Sequence, residues 1–356
     1  VALSELHEQI AREARRHAEA ELEPLAAAID AGERAVPLTG LADLGLLAPD
    51  LPADVGGAGA DPLARELVIE ALARSCASTA LAAAIQGLAA RLARRAGDPS
   101  LAARLAALEE RAALAFSEGP SGEDSLEGAA VFENGRVRGA KNVLGPAVVE
   151  RLLVLAREGD EPVLLSVAVG DVSLREEAAR SGLRGLPART VVLDAPAVRL
   201  GRGDLARVAR DGARALVAAV SAGIVARGLE EAKRYAMMRQ QFGRAIAKFQ
   251  GVQFLVAQIY EAGEGCRALA HAVARAEERG ELPATLAAAC ALEAPGRAVR
   301  AALDVVQVFG GMGYTREVPA ERLLRDALTL QALAGAVGAG AERTLAAERL
   351  SGAGRP

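Results

Sequence analysis

The chain has no tryptophan, and its 356 residues include only three cysteines and three histidines. Cys76, Cys266 and Cys290 are too few and too far apart for a disulfide framework, and each lies in apolar helical sequence, which predicts buried, reduced thiols. Without a Cys/His cluster there is no candidate metal site. An excess of basic charge is missing too: 42 Lys and Arg stand against 46 Asp and Glu, a formal net charge of -4 with the two signs interspersed, which argues against a nucleic-acid partner. No apolar run approaches the ~20 residues needed to cross a bilayer. The longest, Ala215 to Ala226, is closed by Arg214 and Arg227. Val1 to Glu8 pass directly into amphipathic sequence with no basic flank, apolar segment or cleavage site, so a cytoplasmic protein without a membrane anchor is expected.

What is present is apolar and helical. Hydrophobic residues make up 51%, mostly Ala, Leu and Val, enough for a large core and two or three domains. From Leu3 to about Leu108 they recur at helical spacing, interrupted by Pro37 and by the loop-like stretch Pro49 to Gly59. Between about Ala112 and Leu200 the period shortens. Asn134-Gly135 between two strand-like runs is a hairpin signal, and Val149 to Ala156, Pro162 to Val169 and Arg189 to Leu193 read as further strands. Helical spacing then returns at about 204–237, 248–279, 283–309 and 318–350. The pattern predicts an α+β fold, mainly α, with an N-terminal helical domain (1–111), a small central β domain (112–203) and a C-terminal four-helix domain (204–356). Strands and helices do not alternate, so a Rossmann sheet is not expected.

Two segments carry more arginine, glutamine and glycine than a helical core requires. One runs from Tyr235 through Arg239, Phe242 and Gly243 to Gln250; the other runs from Gln307 through Gly310, Gly311, Gly313 and Tyr314 to Arg325-Asp326-Ala327. Arg239 and Arg244 offer charge-assisted bonds to phosphate, and the glycines allow backbone to approach a ligand. A nucleotide cofactor is the expected ligand.

Together with the domain order, these segments resemble the acyl-CoA dehydrogenase family over nearly the whole chain. The family pattern Tyr-x-x-x-Arg-x-x-Phe-Gly-x-x-Ile-x-x-x-Gln is met by Tyr235, Arg239, Phe242, Gly243, Ile246 and Gln250. The pattern Gln-x-x-Gly-Gly-x-Gly-Tyr is met by Gln307, Gly310, Gly311, Gly313 and Tyr314, and Leu51 to Gly57 resembles the family's N-terminal Pro-x-x-x-Gly-Gly turn. The resemblance implies FAD between sheet and helices, with Arg239, Phe242 and Gln250 reaching its ADP half across a subunit boundary and Gln307, Gly310 and Gly311 lining the same pyrophosphate and adenine region. It also implies a homodimer or homotetramer and an acyl-CoA or acyl-carrier thioester substrate in fatty acid metabolism, with the electron acceptor left open.

The chain departs from the family where the chemistry would occur. The usual catalytic glutamate positions correspond to Ala334 and, just before Arg214, to Ala213. A methyl group cannot take a proton, and a positioned general base is worth about 10²- to 10⁴-fold in rate. The flavin-facing Thr-Glu-Pro motif reads Ser117-Glu118-Gly119, the glycine-rich loop after it is shortened to Pro120 to Asp124, and the usual Trp-x-Thr is replaced by Val143-Leu144-Gly145. Ser117 keeps a hydroxyl for the cofactor. Arg214 is the candidate substrate contact. Asp211 is the candidate substitute base, against a plainer reading as a cap or first-turn acid at the start of its helix. Asp326 reads as a tie between the last helix and its neighbour. The resemblance therefore implies an FAD-dependent oxidoreductase with an unrecognised base. Two alternatives stand beside it: a non-catalytic subunit paired with a glutamate-bearing relative, and a flavin monooxygenase or lyase on the same scaffold.

Overall fold

The computed structural model describes residues 3–118, 126, 128–177, 179–337 and 340–350. Six helices come first: α1 (Glu5–His17), α2 (Ala26–Ala31), α3 (Thr39–Asp43), α4 (Pro62–Ser75), α5 (Ala77–Arg95) and α6 (Pro99–Ala106). Several starts are written locally. Asp61 accepts from the Ala64 amide at 2.9 Å with Pro62 in the first turn, and Asp98 accepts from Leu101 at 2.9 Å ahead of Pro99, the acid cap and N1 proline that favour a helix N-terminus. Helix α5 is buried from Ala77 to Ala90, because its small side chains let it run through the centre of the molecule.

The strands follow: β1 (Ala112–Ala115), β2 (Val131–Glu133), β3 (Arg136–Val143), β4 (Arg151–Glu158), β5 (Glu161–Ala168), β6 (Leu174–Glu176), β7 (Arg189–Pro196) and β8 (Val198–Arg202). They form one sheet in the order β6-β7-β3-β2-β4-β5-β8, with β1 parallel to β4. The expected hairpin is present. Asn134 (φ 50°) and Gly135 (φ 75°) turn β2 into β3 in the doubly left-handed conformation that suits a two-residue loop. Side chains alternate along β4: Leu153 and Leu155 join the core shared with the helices, and Leu152, Val154 and Ala156 join the sheet's own core with Val163, Leu165 and Val137.

The remaining helices are α7 (Asp204–Ala215), α8 (Val217–Met238), α9 (Gln250–Glu278), α10 (Ala284–Phe309), α11 (Ala320–Val337) and α12 (Ala341–Leu350), with the small hairpin β9 (Gln240–Gln241) and β10 (Arg244–Ala245) between α8 and α9. Helices α7 and α8 abut at Leu216, so Asp204–Met238 is by length and composition long and apolar enough to cross a membrane, which the run Ala215 to Ala226 alone is not. Yet 72% of its most apolar window is buried inside the protein, as in a core helix.

Polar struts join the layers. The Gln86 side chain on α5 donates to the Leu105 and Glu110 carbonyls, both at 2.7 Å, and accepts from the Ala112 amide at 2.8 Å, tying α5 to the start of β1. Arg325 on α11 forks onto Asp30 at 2.8 and 2.7 Å and also donates to the Ser181 carbonyl. Asp326 accepts from the Leu183 amide at 2.6 Å, and Thr329 accepts from Gly182 at 2.9 Å. Asp326 thus ties α11 to the segment between β6 and β7, which corrects the expectation of a tie to a neighbouring helix. A helix neighbour already has its amides satisfied internally, whereas this loop has amides to give.

Candidate functional site

The two motif segments meet. Tyr235 near the end of α8 stacks on Phe309 at the end of α10, ring centroids 4.4 Å apart and 25° from parallel. Arg239 closes α8, and its carbonyl accepts from Ile246 at 2.8 Å, which folds β9 and β10 back over the helix end. Phe242 and Gly243 form the tip, both with positive φ (50° and 77°). A bulky residue in that region is an outlier that tends to mark function, and the Phe242 ring is 91% exposed. Arg244 lies over the Phe249 ring at 4.2 Å, and Arg239, Gln250 and Gln307 are exposed. Gly310 ends α10 at φ 59° and ψ -134°, with no atom within 4 Å of where a Cβ would stand. Gly313 serves differently: a Cβ there would stand 2.4 Å from the Val306 carbonyl, so its bareness is needed for packing within the chain, not for a ligand. The exposed arginine, aromatic ring and open glycine turn fit the phosphate and adenosine half of a dinucleotide.

Ser117 lies elsewhere, just beyond β1, on a pocket of about 150 Å³. Apolar walls come from Leu114, Phe116, Leu144 and Leu333, the last adjoining Ala334 on α11. Polar walls come from Asn142, Glu177, Thr190 and two arginines, Arg180 and Arg189. Arg189 is 5% exposed; it donates to the Ala147 carbonyl at 2.9 Å and to the Pro146 carbonyl, and its Nε has no partner. Arg180 donates to the Leu186 carbonyl at 2.6 Å. Burial, reinforced by the Arg189 charge, draws the Arg180 guanidinium down to about 10. Burial also lowers Arg189, and Glu176 opposes it from a distance. Glu177 accepts from the Thr190 hydroxyl at 2.9 Å. Sequence reading missed Glu177, Arg180 and Arg189, because they lie on and before a strand with no motif and meet only through the register of β6 on β7.

Glu118 and Lys141, next to this pocket, are a fixed pair. The Lys141 ammonium is 2.6 Å from a Glu118 oxygen, and Glu118 accepts from Ala129 at 2.6 Å and Ala130 at 3.0 Å. Burial pushes the Glu118 carboxyl up, but Lys141 and those amides outweigh it and hold it below its ordinary range. The shortened loop Pro120 to Asp124 lies outside the described residues.

Both alanines at the base positions are core residues, Ala213 at 2% and Ala334 at 1% exposure. Asp211 sits well inside α7, whose N-cap is Gly203, so it is neither ahead of the helix nor a first-turn acid as expected. Its carboxylate is bonded to Arg210 at 2.8 Å and stands 3.6 Å from Arg214, in the wall of a 660 Å³ cavity with Arg65, Arg91 and Glu277. Arg214 is fully buried and donates to the Thr344 hydroxyl of α12 at 3.3 Å. Arg65 at that cavity pairs with Asp50 at 2.6 Å, with Glu66 at 2.7 Å and with Glu277. The three thiols are buried and free, and burial pushes Cys266 and Cys290 up to about 12. Among the described residues no group of His, Cys, Asp or Glu is arranged to hold a metal ion.

Comparison with known proteins settles the family. The model for the acyl-CoA dehydrogenase N-terminal domain matches residues 4–107, and that for the C-terminal domain matches residues 201–350. The chain belongs to the acyl-CoA dehydrogenase family. The family is one of oxidoreductases. A short-chain specific acyl-CoA dehydrogenase of Clostridium acetobutylicum is 29% identical over 91% of this chain and 93% of its own length. A probable acyl-CoA dehydrogenase of Mycobacterium leprae is 30% identical over 92% of both chains. In fold, the chain is similar to butyryl-CoA dehydrogenase from Megasphaera elsdenii (TM-score 0.86, 23% identity, 97% of each chain) and to PigA, solved with FAD and proline (TM-score 0.87, 21% identity, 99% of each chain).

Proposed function

We propose that the protein is an FAD-dependent oxidoreductase of acyl-CoA dehydrogenase type acting on an acyl thioester. The observation that carries this reading is the Tyr235–Phe309 stack, which brings the arginine-bearing turn of α8 and the glycine turn of α10 together at an exposed face. Arg239, Phe242, Gln250, Gln307, Gly310 and Gly311 would hold the ADP half of FAD, and Ser117 would face the ring. Bound there, FAD supplies a hydride acceptor. The exposure of Phe242 and Arg239 supports completion of the site by another protomer, so a homodimer or homotetramer is the expected unit. Three free, buried thiols suit a reducing compartment, the cytoplasm. Division into domains at 111/112 and 203/204 follows from the same reading.

Glu177 is the carboxylate among the described walls of the Ser117 pocket, and Asp211 is engaged with Arg210. A second reading, a non-catalytic subunit beside a glutamate-bearing relative, is favoured by Ala213 and Ala334 both being buried apolar residues. A spectrum separates the two. The full chain purified alone should carry close to one flavin per chain, and adding butyryl-CoA should bleach its visible band. A colourless protein that takes up no added FAD would overturn the first reading in favour of the second.

A further inference from the structure

One face of α11 carries Asp326, Thr329 and Leu333, spaced three and four residues apart so that they stand in line. Leu333 walls the Ser117 pocket, and the other two grip the segment between β6 and β7 that brings Arg180 to the same pocket. Asp326 accepts from the Leu183 amide at 2.6 Å, Thr329 accepts from the Gly182 amide at 2.9 Å and lies 3.2 Å from the Ser181 hydroxyl, and Arg325 donates to the Ser181 carbonyl at 2.7 Å. Backbone meets backbone there: a Cβ on Gly182 would stand 2.1 Å from the Arg325 carbonyl oxygen. Leu183 is fully buried and left-handed, with φ 49°, a conformation that a leucine keeps only where its surroundings over-determine it. Burial lifts the Asp326 pKa only to about 6, so at pH 7.5 the group is a carboxylate and the bond from Leu183 is charge-assisted. A tie needed for folding alone would be better served by an amide, which accepts the same bond without a buried charge.

We infer that Asp326 and Thr329 are positioning residues: they clip the 180–186 segment to α11 and so fix the spacing between the Arg180 and Leu333 walls of the Ser117 pocket. The inference rests on the reading that this pocket faces the flavin ring, and adds what holds its two walls at a set separation. With the clip loosened, Leu183 relaxes toward an ordinary conformation and carries Arg180 away from Leu333.

Comparison of the full native chain with D326N, T329V and T329S at pH 7.5 tests this. D326N keeps an acceptor and loses the charge, so it should melt no lower than the native chain. Trypsin should nevertheless cut the flavin-free variant after Arg180 or Arg184 about five-fold faster, read by mass spectrometry, the effect of one weakened bond on local opening. Its FAD affinity should fall about ten-fold, and the visible band of the bound flavin should shift. T329V should loosen the segment and weaken FAD in the same way, and T329S, which keeps the hydroxyl, should return both readouts to near native. A purely structural role predicts instead that melting temperature, cutting and flavin binding move together. Native cutting, FAD affinity and band position in D326N would overturn the inference, as would a T329S no different from T329V. Faster cutting with native flavin binding would leave a clip that does not reach the pocket, which overturns it too. If the native chain takes up no FAD, the cofactor reading fails by itself and trypsin decides: faster cutting in D326N at an undiminished melting temperature upholds the clip, and an unchanged rate overturns it.

Discussion

Replacing Asp326 by asparagine should stabilise the protein at neutral pH. The carboxyl is 6% exposed, and burial raises its pKa from the ordinary 3.8 to about 6, against the lowering effects of the Leu183 amide and Arg322. An acid whose pKa is higher in the folded state is bound to its proton more firmly there than in the unfolded chain. Its contribution to stability is therefore greatest below pH 3.8, falls between 3.8 and about 6, and stays at its low level above. A rise of this size corresponds to about 3 kcal/mol lost on ionisation. Asparagine does not ionise, and its carbonyl can still accept from Leu183. D326N should thus gain up to ~3 kcal/mol over the native chain at pH 7.5, less the cost of pairing its new NH₂, and nothing at pH 4. Thermal denaturation of both proteins from pH 4 to 8 should show the curves diverging across pH 4 to 6, with D326N a few degrees higher at neutral pH. The comparison cancels the other carboxylates, whose lowered values pull the other way. Parallel curves, or an asparagine variant weaker at every pH, would refute the reasoning.

Three further outcomes are expected. K141M leaves Glu118 buried without its cation and should cost about 3 to 5 kcal/mol in urea denaturation, much of it recovered in the E118Q/K141M double variant, which removes the stranded charge. R239A removes an exposed side chain, so the flavin-free protein should melt unchanged while FAD affinity falls about ten-fold or more; an unchanged FAD affinity would remove Arg239 from the cofactor site. A334E puts an unpaired carboxylate at a core position 1% exposed and should cost about 3 kcal/mol or more in urea denaturation; an unchanged midpoint would show that the position opens to solvent.

Helices and the main strands were legible because they rest on local rules: apolar residues at helical spacing, the Asn134-Gly135 turn and short apolar runs bounded by turn residues. Short elements were not. β1 reads Ala-Ala-Leu-Ala and is buried throughout, a composition that suits helix as well as strand, and only its parallel pairing with β4 makes it a strand. The motif residues could be picked out from spacing, but the burial of Arg214 behind α12 and the engagement of Asp211 with Arg210 depend on which helix packs where. Arg180 and Arg189 carried no signal at all, since nine residues of separation and an unremarkable strand say nothing about a shared pocket.

The distribution of change across the molecule bears on which functional reading is sound. Ion pairs fasten the frame: Arg325 on Asp30, half-buried, and Glu118 on Lys141, buried. Such pairs are expensive to bury and strongly destabilising when one member is lost. A chain reduced to scaffold would need these struts and little else. It would not need Arg189, a buried guanidinium on a small pocket beside Ser117 whose Nε has no partner. A buried donor left unpaired in this way weighs toward a chain that holds a ligand at that pocket.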